Sequence, residues 1–312
     1  MSDHIYRLET EDSLFVIEAP AGAPASILWW GRPLAAFDTA TFRTLTARQF
    51  APGGPDIPVD PPLFAGFGCG APGHPAISAS AEERGWANQF LTLDVAAPDT
   101  GTLALRSHCP TTGLVATHRF QIFPGTGILA TQLSLTNKRD LPVQVNDCRV
   151  LTWPLHQSYT DFIALTGRWA GEFQTEREAI GFGRHERASR AGRTSHDSFP
   201  GMVFCGDGTS ERRGLAAGFH LGWSGNHLVS VERVKTGDTL FQIGELFLPG
   251  EMCLGPNKTY QSPPLFAAQT EAGLTDLSRR FHRHLMDEIL PKPPLERPRP
   301  VHFNTWEAVY FD

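Results

Sequence analysis

The sequence predicts a mainly β protein: antiparallel sheets packed face to face, then one amphipathic helix, then a strand that opens a separate parallel unit. Three observations carry this expectation. Short runs of alternating apolar and polar residues recur from Phe15 to Ile243. Apolar residues spaced by three and four occupy Leu274–Ile289. The stretch Pro300–Asp312 is apolar on either side of a polar-aromatic centre.

The alternating runs come first. Gly127–Leu135 places Leu129, Leu133 and Leu135 on one face, and Val143 and Val145 alternate with Gln144 and Asn146. Asn137–Asp140 supplies turn residues between them. The same pattern returns at Phe15–Ile17, Leu103–Leu105, Val115–Phe120, His227–Val231 and Leu240–Ile243. With 30 Gly and 25 Pro to make the turns, many short strands of this kind indicate antiparallel sheets stacked on one another.

The helix follows. Leu274, Leu277, Phe281, Leu285 and Ile289 fall on one helical face over Thr275–Leu290. Thr275 is the expected N-cap, Asp276 suits the positive N-terminal end, and Pro291 stops the helix. Five prolines in Pro291–Pro300 make a stiff, extended connector, with a domain boundary near residue 291. The expected units are therefore 1–274, a sandwich; 275–300, helix and linker; and 301–312, the first strand of a further domain. Val301, Phe303, Val309, Tyr310 and Phe311 flank Asn304–Glu307, and a strand apolar on both faces belongs in a helix-covered parallel sheet. Such a sheet needs further strands reached by crossovers, so the sequence is expected to belong to a longer enzyme.

The closing segment, Asn304, Trp306, Glu307, Ala308, Tyr310, Phe311 and Asp312 after a proline-rich linker, resembles the first barrel strand of family 36 glycoside hydrolases, the bacterial-type α-galactosidases. Other stretches agree in the same order. Gly167, Trp169 and Glu172 are similar to the family's Gly-x-Trp…Glu segment. Ser189, Arg190, Gly192, Ser195, His196 and Pro200 resemble its Arg-Gly-x-Ser-His…Asn-Pro loop. Ser224–Asn226, Leu248–Glu251 and Gly273, Leu274, Ser278 and His282 complete the set. The resemblance implies an N-terminal β-supersandwich joined to a (β/α)8 barrel, acting as a retaining α-galactosidase on α-galactoside oligosaccharides. It implies a tetramer in which N-terminal loops reach neighbouring active sites, and Phe64–Pro75 looks like such a loop. Where the family usually carries Asp and Arg, this sequence has Cys69, Gly70 and Ala71. That departure keeps an α-N-acetylgalactosaminidase-like activity open. A stand-alone carbohydrate-binding or assembly module is the alternative of another class.

Composition narrows the field. With 27 basic and 33 acidic residues, net charge −6 and no basic run, nucleic acid is not an expected partner. The N-terminus lacks a signal region and no apolar run reaches membrane length, so a cytoplasmic, membrane-free protein is expected. Five widely spaced cysteines (Cys69, Cys109, Cys148, Cys205 and Cys253) indicate separate thiols, and no metal or cofactor is expected.

Gly68, Gly70 and Gly73 match the dinucleotide fingerprint by letter, but Pro72 and Pro75 forbid the helix it needs, so a mobile glycine-rich loop is expected. His282 and His284, two apart on a helix, cannot share an ion. His185, His196 and His227 are too far apart in sequence to be grouped, and Ser195 beside His196 lacks a visible base and oxyanion site. The resemblance assigns catalysis to two aspartates on later barrel strands, absent from this sequence, which makes Glu307 structural. Trp306 is the candidate site residue: an indole at the C-terminal end of strand one can stack on the apolar face of a sugar, the resemblance implies that it lines the galactose subsite, and a barrel-core tryptophan is the alternative.

Overall fold

In the computed structural model the described residues are 4–34, 60–82, 85–194, 197–292 and 300–309, with single positions 38, 40, 42 and 44. All strand pairings within the sheets are antiparallel. One small sheet joins β1 (Ile5–Glu9), β2 (Leu14–Glu18) and β3 (Ser26–Gly31). A second has the order β18 (Cys253–Leu254), β9 (Val143–Cys148), β4 (Ile77–Ser80). The third runs β10 (Thr152–Leu155), β17 (Thr239–Glu245), β16 (His227–Arg233), β13 (Gly183–Ser189).

The large sheet has ten strands. One half is β12 (Gly171–Ala179), β11 (Tyr159–Arg168), β14 (Gly201–Gly206), β15 (Ala216–Leu221) and β20 (Leu265–Thr270). It continues through β8 (Ile128–Asn137), β7 (Leu114–Phe123), β6 (Thr102–His108) and β5 (Leu91–Ala96), and β19 (Thr259–Gln261) also pairs with β8. The small sheets share a single core with the large one.

Alternation decides which side chains enter that core. Along β7, Leu114, Ala116, His118, Phe120 and Ile122 are buried while the residues between them are not. β8 answers with Leu129, Leu133 and Leu135, the face read from the sequence. β15 is apolar on both faces for a reason: Ala217, Phe219 and Leu221 join the sandwich core, while Ala216 meets the helix behind the sheet. Gly218 makes room there, since a Cβ would lie 2.9 Å from Phe281.

His118 is the polar exception in the core. Its Nε2–H donates to the Val150 carbonyl at 2.9 Å, Nδ1 has no partner, and Phe64 and Phe120 flank the ring. A second proton would have nowhere to bond, and burial pushes the imidazole pKa down to about 4 from its ordinary 6.5. The folded pKa lies below the unfolded one, so this contribution is complete above pH 6.5 and fades as pH falls towards 4. The expected loss from this group is about 3 kcal/mol. Urea unfolding at several pH values checks it: His118→Leu should flatten the acid slope by one proton's share, and parallel slopes would refute it.

The helix α1 (Leu274–His284) packs Leu277, with Leu274 and Phe281, on the outer face of the large sheet. Two expectations about it are corrected. The N-cap is Gly273, not Thr275: the chain turns there with φ +88°, and a Cβ would sit 2.4 Å from the Arg213 nitrogen. The Thr275 hydroxyl donates to Glu211 instead. The apolar face also ends early. Leu285–Ile289 is a π-turn, whose wider winding rotates Leu285 and Ile289 to the exposed side and leaves His284 buried. As expected for residues two apart, His282 is exposed while His284 is not.

Among its described residues, the terminal segment is not paired as a strand in this chain. Pro300–Thr305 has no regular structure and Trp306–Val309 is a helical turn, α2. A lone strand leaves its backbone groups unpaired, whereas a helical turn satisfies some of its own. Residues 293–299 of the linker, with Tyr310 and Phe311, lie outside the described residues.

Candidate functional site

Trp306 stands on α2, where Asn304 sets the turn: its Oδ1 accepts the Trp306 N–H at 3.0 Å, as a capping side chain does. The amides of Ala308 and Val309 then bond the Thr305 carbonyl. The indole is 53% exposed, and Val301, Phe303 and Val309 are exposed beside it in the chain. Together they form an exposed apolar segment.

The glycine-rich loop Phe64–Pro75 is anchored to neighbouring elements on both sides of its turn. Gly68 donates to the Asn88 carbonyl at 2.9 Å, and a Cβ on Gly68 would lie 2.5 Å from the Ala87 carbonyl oxygen. At the other end the His74 amide donates to Glu232 at 2.8 Å, and Gln242 donates to the His74 carbonyl at 2.8 Å. Between these anchors Phe67–Cys69 forms a 3₁₀ turn closed by Gly70 in the left-handed region. Phe67 lies edge-to-face on Trp86 at 6.3 Å, and both are exposed. Burial pushes the Cys69 thiol pKa up, so it is a poor nucleophile. With only this short turn, the loop lacks the strand-to-helix cradle a pyrophosphate needs.

The histidines separate into structural roles. Ser195 and His196 lie outside the described residues. His185 and His227 stand on neighbouring strands but in different registers, since His185 faces Val231 and His227 faces Ser189. His227 pairs with Ser198 (3.2 Å) and with the Gly225 carbonyl (3.1 Å). Nδ1 therefore donates to the carbonyl and Nε2 accepts from the hydroxyl. Both residues are buried, no carboxylate hydrogen-bonds to the ring, and burial holds the His227 pKa down, so this pair pins a loop. Nothing in the sequence marked Ser198 as its partner. Among the described residues, no group of three His, Cys, Asp or Glu side chains could hold a metal ion. No described helix is long and apolar enough to cross a membrane.

Comparison with known proteins places these features. Residues 24–255 match the glycosyl hydrolase family 36 N-terminal domain, and residues 259–312 match the melibiase domain. An α-galactosidase of Escherichia coli is 35% identical over 288 residues, covering 92% of this chain and 40% of that protein. The α-galactosidase structure from Lactobacillus brevis superposes with a TM-score of 0.86 at 20% identity, over 99% of this chain and 45% of that one. A variant of the α-galactosidase AgaA from Geobacillus stearothermophilus, solved with raffinose, gives 0.86 at 20% identity over 99% and 46%. The chain thus spans less than half the length of these relatives. Matched in sequence along most of its length and sharing the sandwich of solved members, the chain belongs to glycosyl hydrolase family 36.

Proposed function

We propose that this sequence works within a longer retaining α-galactosidase that releases terminal α-galactosyl residues from oligosaccharides such as raffinose. The carrying observation is the sequence match that runs from the sandwich through α1 into the Trp306 segment, with the melibiase match already beginning at residue 259. In that enzyme, 1–274 is the supersandwich, 275–300 the linking helix and connector, and 301–312 the first barrel strand. The segment becomes a strand once neighbouring strands supply its ladder. Trp306 then forms one wall of the galactose subsite. One barrel aspartate attacks the anomeric carbon while a second protonates the leaving oxygen, and water releases galactose with its α configuration retained. The enzyme is a cytoplasmic tetramer, and Phe64–Pro75 reaches a neighbouring active site. The rigid mounting of that loop supports this role, since a wall built on anchored elements holds its geometry.

The 312-residue chain alone is expected not to hydrolyse p-nitrophenyl α-galactoside, because both reacting carboxylates lie on later barrel strands. Turnover by the purified chain, with contaminating enzyme excluded, would sink this assignment of the catalytic groups.

In the longer enzyme, Trp306→Ala should reduce kcat/KM by roughly five- to hundredfold, the equivalent of about 1–3 kcal/mol of lost stacking. Trp306→Phe should recover part of it. Steady-state kinetics with thermal melting as control decides the matter. An unchanged kcat/KM would remove the stacking role, and activity lost only in proportion to unfolding would make Trp306 a core residue.

A further inference from the structure

We infer that the β11–β12 ribbon forms one side of a groove that binds a neutral oligosaccharide. The ribbon projects from the edge of the large sheet: β12 has no buried residue, and among the described strands it pairs only with β11. Beside it lies an open groove of about 540 Å³, lined among others by Thr166, Arg168, Gly171, Gln174, Glu176 and Asp197. That volume falls within the roughly 300–1,000 Å³ of small-molecule sites.

The chemistry of the lining selects the ligand class. Arg168 opposes a cation, while Glu176 and Asp197 oppose an anion, so no single sign of charge is favoured. Thr166 and Gln174 add neutral donors and acceptors, and they face each other directly across the ribbon. Interleaved donors and acceptors suit the neighbouring hydroxyls of a neutral sugar. At the ribbon tip, between groove residues Arg168 and Gly171, Trp169 is 80% exposed. An indole there offers the flat apolar surface that a pyranose C–H face needs.

The groove is also held in shape. One guanidinium, that of Arg187 on β13, donates to Glu176 at 3.3 Å and to the Asp197 carbonyl at 3.1 Å, tying its two sides together. Glu172 accepts the Ala170 amide at 3.0 Å and fixes the tip. Ala170 (φ +58°) and Phe173 (φ +53°) sit in the left-handed region, a conformation that costs free energy, at the tip and on the outer strand of the ribbon. The charges along β12 serve a second purpose in discouraging edge-to-edge pairing. That purpose does not require an exposed indole at the tip.

Isothermal titration of the 312-residue chain with stachyose tests the proposal, and it does not depend on the role given to Trp306. Saturable binding with a millimolar Kd is expected. Trp169→Ala and Gln174→Ala should each weaken it by about fivefold or more. Trp169 at the tip and Gln174 in the groove are both exposed, so thermal melting should confirm that these variants fold. Absence of saturable binding would overturn the proposal. So would binding abolished by Trp306→Ala but untouched by Trp169→Ala, an outcome that would favour the Trp306 subsite instead. Self-association of the chain that disappears in Trp169→Ala, with no effect on stachyose, would assign the ribbon to a subunit contact and also overturn it.

Discussion

Replacing Trp153 by alanine is expected to lower the unfolding free energy by about 3–5 kcal/mol. Trp153 on β10 is 1% exposed and lies where three sheets converge. Trp30 of β3 meets it edge-on at 4.8 Å, Phe219 of β15 at 5.1 Å, and Phe15 of β2 at 5.7 Å. Each neighbour is held by its own sheet: Phe15 pairs with Trp30, and Phe219 with Met202 and Ala267. A cavity at this junction therefore cannot close without shifting a whole sheet, and the cost should lie near the top of the range for such truncations. Trp153→Phe should recover a substantial share, because an aromatic edge remains for Trp30 and Phe219. Urea unfolding followed by circular dichroism gives the number, with exposed Trp169→Ala as the control expected to stay within about 0.5 kcal/mol. A loss below about 1 kcal/mol for Trp153→Ala would mean that the junction collapses freely and that the sheets are not rigidly opposed.

The junction also marks how much could be read without coordinates. Local periodicity was enough for the strands, since an alternating pattern such as Leu129, Leu133 and Leu135 can satisfy itself only with one face buried. The helix was legible from Leu274, Leu277 and Phe281 for the same reason. Its cap and its end were not. Gly273 is required by the approach of the segment Ser210–Arg213, sixty residues earlier in the chain, and no local pattern records that contact. The π-turn after His284 likewise breaks a spacing that looked continuous. The final segment is of another kind: strand character in Val301–Phe311 expresses a propensity for pairing, and among its described residues, 301–309, no neighbouring strand is there to pair with. Trp306 was singled out through family resemblance, whereas the groove beside Trp169 depends on Arg187, on a strand of another sheet, bridging Glu176 and the Asp197 carbonyl. Sequence spacing has no means of encoding it.

Arg149 is the residue whose weight was least visible, and its replacement by alanine should cost about 3–5 kcal/mol. In sequence it is an ordinary charge between Cys148 and Val150. In the fold its side chain is 2% exposed at the joint between β9 and β10. Its guanidinium pairs with Asp147 and donates to the carbonyls of Cys148 (3.3 Å) and Glu245 (3.1 Å). Burial pulls its pKa down, and the Asp147 carboxylate acts against that pull. β17 can come this close because position 244 is glycine: a Cβ there would lie 2.7 Å from the Cys148 carbonyl oxygen and 2.8 Å from the Arg149 Cα. The same segment carries the Arg149 amide to Ala76 and the Val150 amide to Ile243, linking the glycine-rich loop, β9 and β17 at one point. Removing the guanidinium takes the nearest cation from the Asp147 carboxylate, which keeps only partial exposure and His74 at 3.6 Å, and leaves two carbonyls without that donor. Arg149→Lys should recover little, because an ammonium cannot reproduce the fork that reaches two strands at once. Arg149→Met combined with Asp147→Asn should be milder than Arg149→Ala, since it restores packing and removes the orphaned charge. Urea unfolding of these variants forms the test. If Arg149→Ala lost less than about 1 kcal/mol, the joint would have to be held by backbone pairing alone. If the double variant were as damaging as Arg149→Ala, the orphaned charge could not be the source of the cost.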